Sequence, residues 1–397
     1  MYITQFMGLG FIFGAVPAIL RSSGASLDTI AWFTLFGSVW ALKMLWAPLV
    51  DRFGSSRHGH YRSWLIILQS LLAIVMIIAG FFPPDVNIGR LAVIVCIMSF
   101  IGATQDLAAD GLAVVVLSDR DRGIGNGIQT SGGFIGNVIG SGIALIAYEM
   151  IGWTATMWLL AAATGLPLIN IITFREPDRA SYARGKRTGF VALISFFKRG
   201  GMLGWLPVIV LVRAGIGAPH ILVTPLLIDK GWTLTGIALG ISMAGALFGI
   251  LGALFTGALL RRYARKPVFL ASLAFGVLML TGLWLFFVKS QSGTFILVLY
   301  GIYQMSYAAI LTVQFTAMMD KSDPATASTD FSVQYCISLL SALAVAAALL
   351  PLAQRVGYET AILSCLVISC ASMFAVFCNS GFLTPGQFKP LSTRVSD

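Results

Sequence analysis

From its first residue to about residue 380 the sequence is a succession of apolar runs, each long enough to cross a bilayer as a helix, which takes ~20 residues. The runs fall near 1–20, 28–50, 64–82, 91–117, 123–148 and 153–174. After a polar stretch they resume near 201–228, 233–260, 268–288, 294–319, 327–352 and 359–380. This pattern predicts twelve transmembrane helices in two sets of six. Composition agrees: 57% of residues are hydrophobic and only 11% charged, where a soluble domain is roughly 25% charged. A cytosolic enzyme, a disordered chain and a small secreted scaffold are excluded. The first run begins without a basic leader segment, so it reads as an uncleaved anchor rather than a signal peptide.

The long hydrophilic segment, 175–199, carries seven basic and two acidic residues. It divides the chain into an N-terminal bundle (1–174) and a C-terminal bundle (200–380), with a tail at 381–397. If this connector and both termini are cytoplasmic, inner loops and tail hold nineteen Lys and Arg, and outer loops hold five (Arg21, Arg90, Lys230, Lys289, Arg355). That asymmetry sets the orientation by the positive-inside rule. It also accounts for the net charge of +10 without a nucleic-acid partner. The five cysteines lie in apolar stretches without CxxC spacing, so neither a disulfide framework nor a zinc site follows. His58 and His60 lack neighbouring ligands for a metal ion. Gly123-Ile-Gly125-Asn-Gly127 evokes a nucleotide loop, but it has no β-α context or P-loop lysine.

The two halves resemble each other. Gly24-Ala-Ser-Leu-Asp-Thr-Ile-Ala31 matches Gly231-Trp-Thr-Leu-Thr-Gly-Ile-Ala238, and Leu49-Val-Asp51-Arg52-Phe53 matches Leu259-Leu-Arg261-Arg262-Tyr263. Parallel six-helix repeats of this kind occur in a large transporter class. The loop Ala47-Pro-Leu-Val-Asp51-Arg52-Phe-Gly54 resembles the major facilitator signature G-x-x-x-D-R-x-G, with Ala47 in place of the first glycine. Its second-half counterpart keeps Gly257, has Arg261 at the Asp position, and supplies Arg265-Lys266 as the basic pair. More narrowly, Ala41-Leu-Lys43-Met-Leu-Trp46-Ala-Pro48-Leu-Val-Asp51-Arg52 and Ala103-Thr-Gln105-Asp106-Leu-Ala-Ala-Asp110-Gly111 resemble the peptide, acetyl-coenzyme A and muropeptide permease family. The ending Asp110-Gly111-Leu-Ala113 resembles that family's siderophore-uptake branch. The resemblance implies an all-α, twelve-helix fold of two pseudo-symmetric bundles working by alternating access. It implies a small-molecule cargo imported across the bacterial inner membrane, expected here to be a ferric siderophore. A muropeptide cargo, or a transporter-like sensor that moves nothing, are the alternatives. Without a nucleotide motif the economical energy source is an ion gradient, expected to be protons. No enzyme activity, cofactor or resident metal is expected, and the protein is expected to act as a monomer. The resemblance also implies a gating role for Asp51 and Arg52, with Arg261 and Arg262 as their counterparts.

Ionisable residues inside spans are the candidate site. Lys43 lies mid-span with Trp40, Trp46 and Ala47 on its face; it is either a structural lysine paired with a carboxylate or a substrate or coupling residue. Asp106 and Asp110, four apart, face one way on the fourth helix. Two such carboxylates cannot both ionise cheaply, so one is expected to hold a proton; Asp110 could equally brace the neighbouring loop. Gln105 reads as a helix–helix hydrogen bond. Arg213 sits among Pro207, Gly215, Gly217, Pro219 and Pro225, which predicts an interrupted helix. It heads a stripe with Gly217, His220 and Thr224, open to anion recognition or to an ion pair with the fourth-helix carboxylates; His220 itself reads as a packing residue. Tyr300, Tyr303, Gln304, Tyr307 and Gln314 form a stripe on the tenth helix, and Asp330, Gln334 and Ser338 another on the eleventh, as cavity lining or helix seam. Gly132, Gly136 and Gly140 predict a close helix contact.

Overall fold

The computed structural model describes residues 1–22, 24, 26, 39–55, 57–84, 88–178, 189–287 and 292–378, and every named element in them is a helix. Ten helices among the described residues are long and apolar enough to cross a membrane. The tenfold and twelvefold counts differ for two reasons. One apolar stretch, Arg122–Thr173, contains both the fifth and sixth expected spans, divided at Gly152, whose φ of 77° only glycine adopts readily. The start of the second span lies outside the described residues.

Numbered by the expected spans, helix one covers Tyr2–Ser22 and helix two is described from Val39 to Arg52. Helix three is His60–Ala79, helix four Ile88–Val116, helix five begins at Arg122, and helix six runs from 153 to 173. Helix seven is Met202–Asp229, helix eight Leu234–Leu260, helix nine Arg265–Phe286 and helix ten Gly293–Asp320. Helix eleven is Ala327–Val356 and helix twelve Tyr358–Cys378. The connector also holds a short helix, Val191–Lys198. Its VALISFF run buries Ala192 and Phe196, so this part is less hydrophilic than the stretch before it.

Contacts group the chain into two compact units. The first holds residues 1–116, 132–193 and 324–332; the second holds 117–131, 194–323 and 333–397. They differ from the sequence halves by two short segments, 117–131 and 324–332. In the first unit helix three packs on helices four and six. Its Leu65, Leu68, Leu72 and Met76 are buried while Ile67, Leu71, Ile74 and Ile78 face outward. An outer face as apolar as the core suits a hydrocarbon solvent. In the second unit helix eight packs on ten, and helix twelve on seven and nine.

Glycines let some helices touch backbone to backbone. A Cβ at Gly10 would stand 2.8 Å from the Asn137 carbonyl oxygen, and Cβ atoms at Gly136 and Gly140 would collide with the carbonyls of Ile3 and Met7. Helices one and five each carry a π-helical turn at this contact, Phe11–Ala15 and Val138–Ile143. Lower on helix five, Gly127 faces the Ala253 carbonyl and Gly123 faces Leu260 of helix eight. The glycines that evoke a nucleotide loop are packing residues.

Candidate functional site

Helix two is not regular at Lys43. Pro48 has no N–H and its ring crowds the carbonyl four residues back, and the chain answers with a 3-10 turn at Lys43–Leu45 before the helix restarts at Ala47. The expected straight-helix face of Trp40, Lys43, Trp46 and Ala47 is thereby broken. Trp46 anchors the turn by donating from Nε1 to Thr104 Oγ1 at 3.1 Å.

The break points Lys43 into the first unit, where it is fully buried. Its ammonium donates to Asp106 Oδ2 in a short contact and lies 3.4 Å from Asp110 Oδ2. Both aspartates are buried, and the Trp40 ring covers the ammonium at 5.7 Å. Tyr2 adds a donor that sequence reasoning missed, its hydroxyl reaching Asp110 Oδ1 at 3.3 Å. One ammonium therefore serves two carboxylates: fully ionised the group carries −1, and one added proton brings it to zero. Removing one member of such a buried pair costs about 3–5 kcal/mol. Gln105 lies beside this group but outside it. It donates to Gln69, which bonds the Thr164 carbonyl and the Thr4 hydroxyl, tying helices one, three, four and six together.

Asp51 is also fully buried. Its carboxylate accepts from the Tyr61 hydroxyl at 2.6 Å, from Ser328 N at 3.1 Å, from Thr329 N at 2.8 Å and from Thr329 Oγ1 at 2.5 Å. Those backbone N–H groups are first-turn donors of helix eleven, which an α-helix cannot satisfy internally. A residue 277 positions away thus caps that helix, which no local signal in 324–332 announces. Asp330 is buried in the same first turn. Glu176 performs the same service for helix three, accepting from Tyr61 N at 3.1 Å and Arg62 N at 2.7 Å. Arg52 stays exposed, with its guanidinium over the Phe53 ring.

The counterpart loop in the second unit works by ion pairs. Asp320, at the end of helix ten, takes Arg122 at 3.0 Å and Arg265 at 3.1 Å, all three largely buried. Arg261 meets Asp121 at 3.2 Å with both about half exposed, and Arg262 is exposed. Next to Asp320, Lys321 lies over the Trp205 ring at 4.9 Å. Burial pulls its ammonium down to about 8, against the opposing pull of the Asp320 carboxylate.

Helix seven is interrupted as its glycines and prolines predict: one segment ends at Gly217 and the next begins at His220. Arg213 is buried at 8% exposure, and its Nε and Nη1 are sealed from solvent without a hydrogen-bond partner. The guanidinium stands over the rings of Tyr307 at 5.6 Å and Phe315 at 6.0 Å. His220 sits among Tyr300, Tyr303 and Tyr307 and meets the Tyr300 hydroxyl at 3.2 Å. Tyr303 donates to the Ile216 carbonyl at 2.5 Å, at the helix break. Gln304 and Gln314 keep an amide oxygen without a partner. Gln334 belongs to a seam: it accepts from Trp205 Nε1 at 2.7 Å and donates to the Met318 carbonyl at 3.1 Å.

The family model described as the Major Facilitator Superfamily matches residues 1–347. The anhydromuropeptide permease of Escherichia coli K12 is 31% identical over 269 residues, which is 67% of this chain and 54% of that protein. The chain thus spans about half the length of this relative. A Rickettsia conorii protein named as an AmpG 4 transporter is 26% identical over 71% of this chain and 72% of its own length. Among solved structures, the human organic anion transporter MFSD10 superposes with a TM-score of 0.75 at 14% identity, covering 94% of this chain and 96% of that one. A bacterial homologue of the iron transporter ferroportin gives 0.68 at 15% identity, covering 96% and 97%. At these identities the structural likeness is one of fold.

Proposed function

The chain belongs to the major facilitator superfamily, and on that premise we propose that it is a proton-coupled secondary transporter that imports a muropeptide-type cargo across the bacterial inner membrane by alternating access. As a multi-pass membrane protein of this superfamily it is a transporter; proton coupling, direction, cargo and cytoplasmic termini are the proposal. The observation that carries the coupling is the Lys43–Asp106–Asp110–Tyr2 group, whose charge count calls for one exchangeable proton. When a proton joins the group its charge rises from −1 to zero and Lys43 keeps a single ionised partner, which removes the repulsion of an anionic cargo; when the proton leaves, the −1 charge returns. Asp51 and its cap on helix eleven, with Arg261 and Arg265 in the counterpart loop, supply contacts that open and close during the cycle.

The cargo follows the 31%-identical permease of Escherichia coli rather than the ferric siderophore expected from Asp110-Gly111-Leu-Ala113. Gly111 has a structural reason of its own. A Cβ there would stand 2.6 Å from the Tyr61 ring, displacing the tyrosine that bonds Asp51. The glycine of that ending thus has a packing role that does not depend on cargo, and the Escherichia coli relative is named for muropeptides. The ferroportin homologue contributes a fold and no cargo argument.

Membrane vesicles energised by an imposed pH gradient test both parts. Radiolabelled anhydromuropeptide should accumulate, whereas ferric chelates should not. Asp106→Asn should abolish gradient-driven accumulation while binding persists, and Lys43→Ala should mainly weaken binding. A triple change, Lys43→Met with Asp106→Leu and Asp110→Asn, removes all three charges and should fold, since replacing a whole buried ion-pair group is near neutral. Full gradient-driven uptake by that triple variant would sink the coupling role. Accumulation of a ferric chelate alone would restore the siderophore reading, and uptake of neither would favour a sensor.

A further inference from the structure

The second unit contains a cation that the coupling group does not use. Arg213 is 8% exposed, and two of its nitrogens are sealed without a partner. No carboxylate among the described residues of its own unit pairs with it. A buried guanidinium in a membrane span is costly unless something neutralises it. Its guanidinium carbon stands over the Tyr307 and Phe315 rings, and such rings stabilise a cation placed above their plane. Its Nε–H and Nη1–H donors are left over, and each can make a charge-assisted hydrogen bond to a carboxylate oxygen.

The surroundings add to this. The His220 Nε2 has no partner, and the imidazole lies 4.5 Å from the Tyr307 ring and 5.1 Å from the Tyr303 ring. Gly217 lies against the same group, where a Cβ would make ordinary van der Waals contact with Tyr307 at 3.6 Å and the Arg213 side chain at 3.8 Å. Arg213 and His220 stand on either side of the helix break at Ala218–Pro219, and both lie against the Tyr307 ring.

We propose that Arg213, with His220, Tyr300 and Tyr307, forms a carboxylate-binding subsite for the anionic end of the cargo. One cation matches one negative charge, so a carboxylate is neutralised where a phosphate dianion would keep a charge. The aromatic walls suit the apolar stem behind the carboxylate. The subsite rests on the reading that the cargo carries a peptide, whose chain ends in such a group, and it names the part of the cargo held by the second unit.

Calorimetric titration of the full-length protein in lipid nanodiscs tests it. The probes are an anhydromuropeptide with free carboxylates and the same molecule with every carboxylate amidated. Wild type should prefer the acid by at least about tenfold, the factor that one charge-assisted pair supplies. Arg213→Gln should bring the ratio to about one, and Arg213→Lys should restore part of it. An unchanged ratio in Arg213→Gln, or none in wild type that binds both forms, overturns the subsite while the muropeptide reading stands. If wild type binds neither form, the muropeptide reading falls and benzoate decides the subsite. Benzoate should then raise the Tm of wild type and leave Arg213→Gln unmoved; an equal or absent response overturns the proposal. The unliganded Tm is a further check. Arg213→Met should unfold no lower than wild type if the guanidinium awaits a ligand, and a clearly lower Tm assigns Arg213 to structure instead.

Discussion

The loops after helices two and eight stand at matching positions in the two halves of the sequence, yet they hold their neighbours by different physics. At the first, a fully buried carboxylate, Asp51, accepts four hydrogen bonds from uncharged donors and caps helix eleven. At the second, the matching position is Arg261, half exposed, and the tight contacts have moved to Arg265 and Arg122 on Asp320. A cap made of neutral donors depends on geometry and barely on salt. An ion-pair cluster graded from buried to exposed weakens with ionic strength from its outer edge inward. The same turn is therefore a fastening insensitive to salt in one unit and one that salt can tune in the other.

The largest effect should come from Asp51→Ala. It orphans two backbone N–H groups and two hydroxyls at once, and should cost about 3–5 kcal/mol of stability at any salt concentration. Asp51→Asn keeps an acceptor and the shape; it should insert normally and shift the balance between inward- and outward-open forms, read by cysteine accessibility from each side. Unchanged accessibility with normal uptake counts against a gating role. Next, Asp320→Ala should cost about 2–4 kcal/mol, because it leaves Arg122 and Arg265 buried without their shared partner. A loss that disappears when Arg122 and Arg265 are replaced as well would confirm the pairing. Last, Arg261→Ala should change stability by less than about 0.5 kcal/mol and only at low salt. Should Arg261→Ala prove as costly as Asp51→Ala, the contrast between the two loops collapses.

Hydropathy alone located the spans, because a bilayer leaves so little freedom in the length and polarity of a helix. The break in helix seven was legible too, from Pro207, Gly215, Gly217, Pro219 and Pro225. The one in helix two was not, since Pro48 alone leaves open which turn upstream tightens. Lys43, Asp106 and Asp110 stood out as charges in apolar runs, but Tyr2 did not, because a tyrosine near a span end has many ordinary uses. Asp51 was marked by its motif, whereas its partners Ser328 and Thr329 are small residues that acquire meaning only through a contact across 277 positions. Long-range pairing of this kind leaves no periodic trace in one sequence.

The glycines of helix five bear on how this chain can change over generations. Gly123 and Gly127 lie against helix eight, and Gly136 and Gly140 against helix one. The boundary between the two compact units falls between these sets, at residues 131 and 132. A new methyl group at Gly127, Gly136 or Gly140 meets a neighbouring backbone, and one at Gly123 meets the Leu260 Cβ; neither can rotate out of the way. Such a helix accumulates few neutral substitutions on that face, while the lipid-facing side drifts freely. Among descendants that have taken up other cargoes, this bare strip should be among the last features of the sequence to be lost.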